Sequence, residues 1–145
     1  MTRTILPLPV AVLLLVTSAA GTAWAQQPTG GPDSALSTLR GVYSDAQAVR
    51  GESTYRANCT SCHATSAYTG APFARAWGGR TAFDLFELIR TTMPNDNPGR
   101  LSRSEYAEIV AYLFKLNGFP PGEQALPNDD DGLKRIRIEA KAPAP

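Results

Sequence analysis

Cys59 and Cys62 are the only cysteines in this 145-residue chain, and its single histidine, His63, directly follows the second. Methionine is as scarce, at Met1 and Met93. Soft or imidazole ligands for a metal can come only from these positions. In Cys59-Thr60-Ser61-Cys62-His63 the two-residue spacer lets one turn of backbone carry both thiols to the two vinyl groups of a porphyrin. Each thiol adds there to give a thioether, and the adjacent imidazole falls under the iron as its proximal ligand. Three other chemistries use the same residue types. A disulfide between Cys59 and Cys62 would close a very small loop and contribute little. A thioredoxin-like pair calls for a strand–helix context that the flanking sequence does not suggest. A structural zinc site takes four ligands, of which Cys59, Cys62 and His63 supply three. One covalent haem c with its iron accounts for all three residues.

Iron held by His63 on one face takes a sixth ligand from the other, and with no second histidine the candidate is Met93. It stands in Thr91-Thr92-Met93-Pro94-Asn95, where Pro94 restricts it to an extended backbone. The alternative is a methionine filling a gap in the core. A thioether ligand favours Fe(II) and raises the potential relative to bis-histidine ligation. With both axial positions filled, the expectation is an electron carrier, not an enzyme. A gas binder or peroxidase in which Met93 is displaced is the competing expectation, and a thiol–disulfide enzyme is a third.

These residues must be positioned by the elements around them. The N-terminal stretch is expected to be removed: Arg3 gives a positive start, residues 5–16 are largely apolar, and Ala23-Trp24-Ala25 fits a cleavage site. Residues 1–25 thus read as a signal peptide; the alternative is an uncleaved anchor, against which stands an apolar run too short to span a bilayer. Nothing later in the sequence could span one, and export implies the periplasm. Arg3 leaves with the leader, so 13 basic residues face 13 acidic ones. That balance argues against a nucleic-acid partner. Residues 26–42 read as a flexible lead-in, 43–119 as the domain and 120–145 as an extended tail.

Three helices are expected. The first covers residues 45–58, opened by a capping box of Ser44 and Gln47. Gly51 within it costs about 1 kcal/mol against Ala, which suggests that another helix passes close by. Residues 68–79, with Gly70, Pro72, Gly78 and Gly79, read as loop. The second helix follows Thr81 and Asp84 and carries Ala82, Leu85, Phe86 and Ile89 on one face. The third is capped by Ser102 and Glu105, presents Tyr106, Ile109, Val110 and Leu113 as a stripe, and stops at Gly118. Ile136 and Ile138 alternate with Arg135 and Arg137 as a short extended segment. Three short helices and long loops make a thin core, which a large apolar cofactor would fill.

The sequence resembles the class I cytochrome c family over residues 42–119. The resemblance is carried by Tyr55-x-x-x-Cys59-x-x-Cys62-His63, Trp77-x-Gly79-Arg80, Thr92-Met93-Pro94, Leu101-Ser102-x-x-Glu105-Tyr106-x-x-Ile109-Val110-Ala111-Tyr112-Leu113 and Asn117-Gly118-Phe119-Pro120. It is similar to bacterial periplasmic cytochromes, some of which are partners or subunits of quinoprotein dehydrogenases. The resemblance implies an all-α, cytochrome c-like fold of three main helices around one haem, with the first and last helices crossing near Gly51 and the Tyr112-Leu113 region. It further implies that the Pro72 carbonyl accepts the second N–H of His63. Trp77 would line the haem pocket or bond a propionate, or else pack in the core. Arg80 would pair a propionate, or else remain solvated. The partners implied are redox proteins: a donor dehydrogenase, and an oxidase or another cytochrome as acceptor.

Overall fold

Helix α1 (Asp45–Asn58) begins at Ser44, whose hydroxyl accepts the Gln47 N–H at 3.3 Å. The structure, a computed structural model, describes residues 36–140 together with Met1. The rest of the expected leader, residues 26–35 and residues 141–145 lie outside it. The expected capping box is only half formed, because the Gln47 side chain turns inward. Its Nε2 donates to the Leu126 carbonyl at 3.0 Å and its Oε1 accepts the Leu126 N–H at 2.7 Å. A buried amide leaves no backbone group of Leu126 unpaired, and this pairing outcompetes the reciprocal cap.

Buried positions in α1 are Gln47, Ala48, Gly51 and Tyr55, a narrow face of mostly small residues. Helix α4 (Arg103–Leu116) crosses this face. A Cβ at Gly51 would lie 1.8 Å from the Glu108 carbonyl oxygen, so the crossing requires glycine there. Closest approach falls at Glu108 and Ile109, about a turn before the region the resemblance implied; the Tyr55 and Tyr112 rings meet further along, 5.5 Å apart. Eight residues of α4 are buried, including the unbroken run from Ile109 to Phe114. A stretch of helix buried on every side lies in the middle of the core. The expected stripe of Tyr106, Ile109, Val110 and Leu113 is thus only part of its buried surface.

Ser102 and Glu105 form a complete capping box at the start of α4. Its end is a Schellman motif: Gly118, at φ +68°, donates to the Lys115 carbonyl, Phe119 N–H reaches the Phe114 carbonyl, and the two phenylalanine rings pack edge to face at 5.8 Å. This is the left-handed stop that the Asn-Gly sequence encodes.

Between these helices lie α2 (Gly70–Trp77) and α3 (Ala82–Thr92). Helix α2 stands where loop was expected. Pro72 falls within its first turn, where a missing N–H costs no hydrogen bond, and Phe73 and Trp77, four residues apart, share its buried face. Helix α3 opens on the Thr81–Asp84 capping box. The Thr81 backbone N–H donates to the Asp84 carboxylate, and this bond foremost holds its pKa below the usual range.

The two ends of the described chain come together. Strand β1 (Leu36–Ser37) pairs in parallel with β2 (Ile136–Arg137), and between α4 and β2 lies a short helix, α5 (Asp130–Lys134). Leu133, Ile136 and Ile138 are fully buried. Residues 36–42 are therefore built into the fold instead of forming a loose lead-in, and the tail is part helix. The architecture among the described residues is mostly helical: five α-helices and one small strand pair, with α1, α3 and α4 at the three expected positions.

Candidate functional site

Just beyond α1 the chain tightens into a turn. Cys59 N–H continues the helix to the Tyr55 carbonyl, and the Cys59 carbonyl then accepts from both Cys62 and His63. The pentapeptide is thereby folded onto itself. The Tyr55 hydroxyl fixes its far end by donating to the His63 carbonyl at 3.0 Å. Cys59 is half-buried and Cys62 exposed. Burial raises the pKa of the Cys59 thiol, with nearby Arg100 opposing. Reactive redox thiols have lowered values, so this environment does not favour thiol–disulfide chemistry.

Met93 ends α3 with extended backbone at φ −128° and ψ 153°. Its N–H reaches the Ile89 carbonyl at 2.8 Å, and its carbonyl accepts the buried Tyr106 hydroxyl at 2.7 Å. The methionine is therefore presented from a fixed backbone, anchored to both α3 and α4.

The attachment turn and Met93 converge on one cleft. Its apolar part is lined by Tyr55, Cys59, His63, Trp77, Met93 and aliphatic residues of α3 and α4. A more polar part shares Cys59, His63 and Met93 and adds Cys62, Asn95 and Arg100. Leu88 lines the apolar part yet is half exposed. The donors along the cleft suit a haem. Porphyrin supplies four nitrogens of its own, so the chain need offer only thiols and axial ligands. By contrast, no group of three or more His, Cys, Asp or Glu is placed to hold a bare metal ion among the described residues. Cys59, Cys62, His63 and Met93 are thus brought together, and Trp77 joins them on the wall.

Arg80 does not line this cleft. Its guanidinium lies over the Trp77 ring, 4.8 Å from the centroid, and 3.9 Å from the Asp84 carboxylate. Pro72 lies in α2, and the group at His63 Nδ1 is the Tyr68 hydroxyl, 2.8 Å away. Tyr68, Tyr106 and Asn117 are the contacts that sequence reasoning did not assign. Tyr106 was legible only as one member of an apolar stripe, and nothing in the spacing of Tyr68 from His63 marks a contact.

Fold and cleft define a small, mostly helical protein whose two cysteines, histidine and internal methionine border one cleft. The family described as cytochrome C oxidase, cbb3-type, subunit III, matches residues 46–113, from the start of α1 through most of α4. This similarity, over just under half of the chain, supports a c-type cytochrome domain, and such a domain implies haem c, iron and electron transfer. No curated protein and no solved structure matches the chain. No helix among the described residues is long and apolar enough to cross a membrane.

Proposed function

We propose that this chain is an exported, periplasmic monohaem cytochrome. Cys59 and Cys62 hold the haem as thioethers, and His63 and Met93 are the axial ligands. The haem, when bound, supplies a one-electron Fe(III)/Fe(II) couple. The chain's residues hold it, exclude other ligands and set its potential: His63 is carried on the attachment turn, Met93 is fixed through its backbone, and Trp77 and Leu88 face the apolar space. Electrons pass from a donor dehydrogenase, of the quinoprotein kind that some of the cytochromes it resembles serve, toward an oxidase or another cytochrome. Arg80 stacked on Trp77 is a candidate neighbour for a propionate, and Pro72 shapes the start of α2.

The observation that carries this reading is that Cys59, His63 and Met93 line both parts of one cleft. Its test is spectroscopic. The oxidised protein, made in a host that attaches haem, should show the weak sulfur-to-iron charge-transfer band. Met93→Ala should abolish the band, lower the potential and open the iron to carbon monoxide. Wild-type ferrous protein that binds carbon monoxide rapidly and tightly would instead favour the gas-binding reading.

A further inference from the structure

Tyr68 lies in a single 3-10 turn (Thr65–Tyr68) between the attachment turn and α2. Its hydroxyl is 2.8 Å from His63 Nδ1, and the two rings meet edge-on with centroids 5.6 Å apart. This turn is held from across the molecule. Asn117, at the end of α4, donates its amide to the Tyr68 carbonyl at 2.9 Å and accepts the Gly70 N–H at 2.9 Å. One side chain therefore grips the backbone on both sides of Thr69. The same amide also donates to the Leu113 carbonyl at 2.8 Å, which ties Asn117 to its own helix. Asn117 thus links the cap of α4 to the imidazole through the backbone and side chain of Tyr68.

We propose that Tyr68 is a positioning residue for the His63 imidazole, accepting its Nδ1 proton, and that Asn117 holds Tyr68 in place to do so. The inference rests on the reading of His63 as an axial ligand. An imidazole that ligates through Nε2 carries its proton on Nδ1. A phenol oxygen at hydrogen-bond distance is then the acceptor. Such a bond fixes the ring plane and makes the ligand more basic, which favours Fe(III). The phenol is neutral, so its pull is weaker than that of a carboxylate.

Tyr68→Phe keeps the ring and its edge contact with His63 and removes only the acceptor. The potential should rise, with the ferric-to-ferrous ratio at a fixed applied potential falling by about twofold to tenfold, the range of one ordinary hydrogen bond. Asn117→Ala should move the potential in the same direction. The double variant should move it no further than Tyr68→Phe alone, because Asn117 acts through Tyr68. A second measurement needs no variant. In the ferrous wild-type protein, the His63 Nδ1 proton should exchange slowly and show a nuclear Overhauser effect to the Tyr68 ring protons. Tyr68→Phe protein that carries full haem, keeps its charge-transfer band and has an unchanged potential would overturn the inference and leave the cytochrome reading standing. Absence of the Overhauser effect would overturn it equally. Loss of haem from the wild type is a different failure, and it removes the cytochrome reading itself.

Discussion

Tyrosine hydroxyls recur at the points where this fold fixes its chain. Tyr43 donates to the Phe119 carbonyl at 2.7 Å, Tyr55 to His63 and Tyr106 to Met93. Each bond requires a protonated phenol. Burial, and then Asp45, raises the Tyr43 pKa from 10.0 to about 12. Burial, followed by Tyr68, Cys59 and Tyr112, does the same for Tyr55. The unfolded chain loses these protons first, so their contribution to stability is complete below pH 10. It declines as pH rises toward 12, where the folded protein ionises as well. The unfolding midpoint in denaturant should therefore fall between pH 10 and pH 12. Tyr43→Phe should flatten that fall while leaving the part due to Tyr55; an identical pH profile in the two proteins would show that Tyr43 does not titrate as described. None of these bonds was legible in the sequence, where Tyr55 stood in a motif and Tyr106 in an apolar stripe, since a hydroxyl's partner is set by tertiary distance and not by local spacing.

At the scale of elements, the decisive residue is Gly51. On helix propensity alone, Gly51→Ala should stabilise α1 by about 1 kcal/mol. Against that stands a Cβ placed 1.8 Å from the Glu108 oxygen and 2.4 Å from its carbonyl carbon. Both are backbone atoms, so no side chain can rotate aside and the two helices must separate. Overpacking of this kind costs about 1–3 kcal/mol, occasionally more, so the clash outweighs the propensity gain. Chemical denaturation should show a net loss of up to about 2 kcal/mol, and a stabilised variant would mean that the helices are not in contact here. The close crossing was legible because an unfavourable glycine inside an otherwise sound helix needs a packing reason. Helix α2 was not, because Gly70, Pro72, Gly78 and Gly79 carry breaker signals. Pro72 breaks nothing in a first turn, and only the burial of Phe73 and Trp77 reveals the helix. Capping was legible at Ser102 and Thr81, whose partners lie three residues away, and only half legible at Ser44, whose partner Gln47 is claimed by Leu126.

At the scale of the whole molecule, the two ends of the described chain form a clasp behind the cleft. The Ile138 N–H donates to the Arg80 carbonyl at 2.8 Å, and the Ile138 carbonyl accepts the Gly79 N–H at 2.8 Å. These bonds hold the segment that joins Trp77 to the start of α3, and α3 ends on Met93. The Ile136 and Ile138 side chains are fully buried. Sequence alternation indicated an extended segment here; what it lay against was settled by contacts more than 50 residues away along the chain. Truncating Ile138 would leave a cavity under the clasp without touching the cleft. Ile138→Ala should cost about 2–5 kcal/mol of stability, the usual range for such a deletion in a core. Val49→Ala, at an exposed position of α1, should stay within about 0.5 kcal/mol. On the proposed Met93 ligation, and if the clasp steadies α3, the Ile138 variant should also bind carbon monoxide faster in the ferrous state, because the methionine would leave the iron more readily, and Val49→Ala should not. A variant that loses stability yet binds carbon monoxide at the wild-type rate would show that the clasp supports the core alone and does not reach the methionine.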